Sequence, residues 1–208
     1  MILPHTVMEI PSDMVDDIQF EMAEVPYDYI ETLLRRACIE FCEQSRYWQE
    51  NIDSLTMLAD TSHYVLSVTP TKKLVSLMQV FVDGVEWERG ESDNHNNRYY
   101  QYTPESIDFY PVTPCVGNVI TMVAAIKPAE VDDVMLVSVP LLNDYRAALI
   151  SHAKSALYRI PRKPWTDLQQ AQLNEVILNA AVEKARLTQA RGYAMQTVSA
   201  PVKTRPFY

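Results

Sequence analysis

Between Leu141 and Arg191, apolar residues recur three or four apart in two blocks separated by a proline-rich corner. Leu142, Tyr145, Leu149, Ala153, Ala156, Leu157 and Ile160 share one helical face, and Leu173, Val176, Ile177, Ala180 and Leu187 form a second stripe. The pattern predicts a helical hairpin. Pro161 lacks the amide that would continue the first helix, and Pro164 holds Lys163 away from helical angles, so the corner is expected to display Arg162, Lys163 and Trp165. Thr166 with Gln169 reads as a capping box for the second helix, and Gly192 as its left-handed end.

Upstream, Ile30, Leu33, Leu34, Ala37, Cys38 and Phe41 have the same spacing and predict a helix from Pro26 to about Trp48. Asn51, Asp53 and Ser54 then mark a change of regime, and the period falls to two. Tyr64, Leu66 and Val68 alternate with polar neighbours. LVSLMQVFVDGVEWER supplies two strands joined at Asp83-Gly84, a pair that accepts the positive φ angles of a tight hairpin turn. Tyr99 to Tyr102, Ser106 to Tyr110 and Val119 to Ile126 read as further strands, whereas Glu88 to Asn97 is polar throughout and is expected to be an exposed loop. The strand-rich part ends near Ser138, and Pro140 suits the first turn of the next helix. The expected fold is α+β: a three-helix bundle with an antiparallel β-rich insertion between the first and second long helices. The matching divisions are 1–25, an acidic N-terminal arm; 26–50 with 139–192, the helical bundle; 51–138, the insertion; and 193–208, an extended C-terminal docking tail.

Charge adds a polarity to this picture. Across 208 residues the net charge is -9, yet residues 1–34 hold eight acids and no Lys or Arg, while 146–208 hold ten bases and three acids. An acidic chain is poorly suited to grip phosphates, and the separated charges read as two solvated faces, or as head-to-tail attraction between neighbouring copies or a basic end that meets an acidic partner. No apolar run approaches the roughly 20 residues that span a bilayer, so no membrane is expected. The opening MILPHTVMEIPSD lacks a basic segment followed by a continuous apolar one, which argues against a cleaved signal. Cys38, Cys42 and Cys115 are odd in number, and the first two sit four apart on a predicted helix, which fits a reducing compartment.

Candidate chemistry is sparse. Four glycines are scattered singly, which excludes the clustered glycines of a phosphate cradle, and His5, His63, His95 and His152 fall in separate segments without zinc spacing. Asp16 with Asp17 and Asp132 with Asp133 are adjacent pairs whose carboxylates diverge; the second pair suits a turn between strands. Asp93 to Asn97 is rich in oxygen ligands but lacks the final Glu of a calcium loop. No catalytic residue, cofactor or metal is expected. Tyr193, Met195, Val198, Val202, Phe207 and Tyr208, interspersed with Lys203 and Arg205, suit an extended peptide that docks on another chain.

The segment LLRRACIEFCEQSRYW from Leu33 to Trp48, the strand-rich Tyr64 to Val68 and Leu74 to Trp87, and the corner Pro161, Lys163, Pro164, Trp165, Thr166 before a helix ending in Ala185-Arg186 carry a resemblance. In pattern and order, over residues 25–191, they resemble the head-to-tail adaptor, or head-completion, proteins of tailed bacteriophages. The resemblance implies a structural protein forming a homo-oligomeric ring, a dodecamer, beneath the portal protein in the virion neck, after assembly in the host cytoplasm. Double-stranded DNA would pass through the lumen without sequence-specific binding, and a tail or neck protein would attach below. On this reading the helices form the ring body and face the portal, and the β insertion faces the tail or neighbouring subunits. Tyr193, Met195, Val198, Val202, Lys203, Arg205, Phe207 and Tyr208 form a portal-docking tail. Trp48, Arg162, Lys163 and Trp165 are subunit or portal contacts, with core packing as the alternative for both Trp. Two rival readings are a tail accessory or carbohydrate-binding module with an aromatic platform at Trp87, Tyr99, Tyr100 and Tyr102, and a metal-dependent hydrolase using Asp132, Asp133 and His152.

Overall fold

The computed structural model describes residues 5–90, 98–110, 117–131 and 133–191. Val7–Met8 (β1) precedes two helices, Ser12–Glu21 (α1) and Tyr27–Ser45 (α2). Seven strands follow: Gln49–Thr56 (β2), His63–Val65 (β3), Lys72–Val82 (β4), Val85–Arg89 (β5), Arg98–Tyr100 (β6), Ser106–Tyr110 (β7) and Val119–Pro128 (β8). Short strands at Glu130–Val131 (β9), Val134–Met135 (β10) and Val137–Ser138 (β11) lead into Val139–Asp144 (α3), Arg146–Tyr158 (α4) and Leu168–Arg191 (α5).

Local signals govern α2 and the β4–β5 hairpin. Ile30, Leu33, Leu34, Ala37, Cys38 and Phe41 are all buried, and the helix stops when Arg46 enters the left-handed region at φ 53°. Asp83 and Gly84 both have positive φ, 48° and 79°, as the tight turn requires. Asp83 also clamps the neighbouring strand, since its Oδ1 accepts the Val119 N–H at 2.8 Å.

The bundle-with-insertion architecture does not hold. The protein is α+β, but its largest element is a seven-stranded sheet in the order β2-β8-β4-β5-β6-β7-β3, with five helices among the described residues. The sheet is mixed, not purely antiparallel, because β5 and β6 pair in parallel. Where a change of regime is expected after Trp48, the chain enters β2 at once, and β2 pairs with β8 from Gln49↔Ala125 to Thr56↔Val119. An outer strand needs only one apolar neighbour, so its polar sequence QENIDSLT hid it. α2 packs on β8, and the buried residues of helices and sheet form one continuous cluster from Met14 to Ala185. The helices and the sheet therefore share one core.

Residues 5–25 are not a separate arm either. β1 pairs with β11, and α1 buries Met14, Val15 and Ile18 as it packs on α2 and α4. Its apolar residues are few, and their spacing is masked by the acids between them. The first helix of the hairpin is also divided: Tyr145, at φ -121°, separates α3 from α4. Pro140 does lie in the opening turn of α3.

Candidate functional site

The corner between α4 and α5 is built by its own side chains. Arg162 takes a left-handed φ of 60°, and Thr166 ties the loop by donating from Oγ1 to the Ile160 carbonyl at 2.5 Å and accepting the Lys163 N–H at 2.9 Å. Thr166 is therefore a loop clasp, not the helix cap expected of it. Asp167 is the cap: its Oδ1 accepts the N–H groups of Gln169 and Gln170 at 2.9 and 3.1 Å. Arg162 and Lys163 are exposed, and Lys163 Nζ stands 5.7 Å above the Trp165 ring.

Trp165 is half-buried, packed against the core at the end of α4. Its Nε1 is buried and meets no hydrogen-bond acceptor among the described residues. Beside it Glu21, Met22, Ala23, Glu24 and Pro164 complete a shallow cleft of about 280 Å³. The corner thus bridges α4 to the end of α1, and burial there, with Glu21 and Asp167, raises the Tyr158 phenol above its ordinary value.

Trp48 is elsewhere, packed in the core. It is 0% exposed, lying between His5, stacked on it at 6.3 Å, and Lys72, 5.4 Å from its ring. Residues 193–208, with the docking positions from Tyr193 to Tyr208 that include Met195, Val198, Val202, Lys203, Arg205 and Phe207, lie outside the described residues.

The hairpin's second stripe is inverted relative to expectation. Leu173, Val176, Ile177 and Leu187 are 58%, 65%, 48% and 49% exposed, while Ala171, Leu178, Val182 and Ala185 are the buried side. α5 carries apolar residues on both faces, and the smaller set fits against α4. The two helices approach closely there: Ser155 Oγ donates to the Ala171 carbonyl at 3.0 Å, and Ala171 is 1% exposed.

α1 presents a second outward surface. Phe20 is 92% exposed, on the side opposite Met14, Val15 and Ile18, and shares that side with Asp16. Glu24, Tyr27 and Asp28 continue it, and desolvation followed by Asp16, Glu31 and Asp28 raises the Tyr27 phenol.

The two surfaces lie on opposite flanks of α4. α1 is held through Arg146, which donates to Asp13 and Asp17 at 3.0 and 2.7 Å, and through Lys154, which donates to Glu21 at 2.6 Å. α5 is held through Ser155 and through Arg159, paired with Glu175. At 3.6 residues per turn these two sets point about 160° apart around α4. Part of the charge separation along the sequence is therefore satisfied within the chain itself, where acidic α1 meets basic α4.

Neither rival site is assembled by the described residues. Trp87 and Tyr99 are 4% and 3% exposed, with Trp87 edge-on to Phe109, and this leaves only Tyr100 and Tyr102, stacked at 6.3 Å, near the surface. Asp133 is the left-handed residue of the β9–β10 turn, whereas His152 faces Glu40 of α2 at 2.9 Å; Asp132 lies outside the described residues. Among the described residues no three His, Cys, Asp or Glu side chains are grouped to hold a metal, and no helix is long and apolar enough to cross a membrane. No protein-family model matches the chain, and no curated protein matches it.

Proposed function

We propose that this protein is a structural head-to-tail adaptor, a ring-forming component beneath the portal of a tailed-phage capsid that extends the DNA channel and carries the tail. The observation that supports the reading most is the outward face of α5, where four large aliphatic side chains stand in solvent along one side of a 24-residue helix. Exposed contiguous apolar patches of this kind mark protein interfaces. The rigid corner next to it offers Arg162, Lys163 and Trp165 as further contacts, residue types enriched at interface centres apart from lysine. Residues 193–208 supply the peptide that docks on the portal, and a dodecamer is the ring the resemblance implies.

Electron microscopy of the protein mixed with the portal of the same phage tests this. The expected image is a ring coaxial with the portal, and deletion of Ala194 to Tyr208 is expected to yield filled heads without tails. Portal particles that remain bare at saturating protein, with deletion mutants fully infectious, would overturn the reading.

A further inference from the structure

We propose that the α1 flank of one copy seats on the α5 flank of the next, and that this is the joint by which the chain associates with itself; the inference rests on the ring reading and names its contact surfaces. Because α1 and α5 stand on opposite sides of α4, a copy cannot bring its own two flanks together. A contact between two unlike surfaces repeats from copy to copy, closing into a ring when the rotation allows.

The two flanks are complementary in charge, and both carry exposed apolar side chains. Phe20 projects from a surface bearing Asp16 and Asp28, neither of which pairs with a base among the described residues. Arg146 and Lys154 are engaged on the inner side of α1 by Asp13, Asp17 and Glu21. Across α4, Leu173, Val176, Ile177 and Leu187 make an apolar bed bordered by Lys184, which has no acidic partner among the described residues. An apolar centre with a rim of opposite charge gives both affinity and register. Two identical α5 faces would instead leave Phe20 in water.

Cysteine cross-linking of the full chain tests the joint. Phe20→Cys and Val176→Cys are prepared separately in a Cys115→Ser background; Cys38 and Cys42 are buried and stay silent. Each is oxidised alone and as an equimolar mixture, with and without the portal of the same phage. The mixture is expected to give covalent dimer several-fold above either variant alone, and the F20C/V176C double variant a ladder of multimers. Lys184→Glu should shrink that ladder, and adding Asp16→Lys should restore it. Cross-linking no higher than that of the sheet pair V65C with V85C, in both conditions, overturns the joint, as does equal reaction of each variant with itself. A ladder without portal binding keeps the joint and removes the adaptor role; rings on the portal without the F20C to V176C bond keep the adaptor role and remove the joint.

Discussion

Lys72 of β4 reaches across β8 to Glu50 of β2, Nζ to Oε2 at 2.6 Å, with side chains only 19% and 12% exposed. The other carboxylate oxygen of Glu50 accepts the Trp48 indole N–H at 2.8 Å. One carboxylate thus satisfies a largely buried cation and a fully buried ring at the point where α2 hands the chain to the sheet.

Removing that carboxylate strands both partners. Glu50→Ala should lower unfolding free energy by about 2–4 kcal/mol, since it leaves a charge and an indole donor without an acceptor. Lys72→Met should lose less, because Glu50 keeps its bond to Trp48. Denaturant unfolding followed by tryptophan fluorescence checks this; a change within about 0.5 kcal/mol for Glu50→Ala would mean that solvent screens the site.

His5 gives the fold a pH dependence. Burial first, then Lys72, lower its pKa below 6.5, with Glu50 acting in the opposite direction. Above 6.5 the ring is neutral in both folded and unfolded chains, so its contribution is complete. As pH falls below 6.5 the unfolded chain takes up a proton that the folded one resists, and stability declines until the folded pKa is passed. His5→Gln should therefore lose less stability than the native chain between about pH 7 and pH 5, measured as the shift in thermal midpoint.

Adjacent residues on α5 should behave oppositely. Ile177 is 48% exposed and Leu178 is 7% exposed. Ile177→Ala should change the stability of the isolated subunit by no more than about 0.5 kcal/mol, and Leu178→Ala should reduce it by about 2–4 kcal/mol. Chemical denaturation of the two variants reads the difference, and equal losses would show that the outward face is covered.

The thiols of α2 should be inert. Burial pushes Cys38 up to about 12 and Cys42 well above its ordinary value. Neither is expected to react with iodoacetamide at neutral pH until the chain unfolds, as peptide mapping after timed alkylation will show. Labelling of either thiol at the rate of a free cysteine would contradict its place in the core.

What could be read from the chain was whatever a few neighbouring residues settle between them. The face of α2 is written in Ile30 to Phe41, the turn in Asp83-Gly84, and the corner in Pro161 and Pro164, because helix period, φ preference and a missing amide act within one turn of chain. Cys38, in the same stripe, is buried with it. Choices between equivalent local solutions stayed hidden. α5 has two apolar faces, and only the surface of α4, with Ser155 against Ala171, selects the smaller one. β2 is a polar octapeptide until β8 lies beside it, and α1 is an acidic run until Arg146 and Lys154 arrive from more than a hundred residues away. Trp48 fits a surface or a core equally well, and its burial depends on Glu50, Lys72 and His5 converging on it from three segments. Partners far apart along the chain leave no periodic trace in it, and a buried face is defined by what covers it.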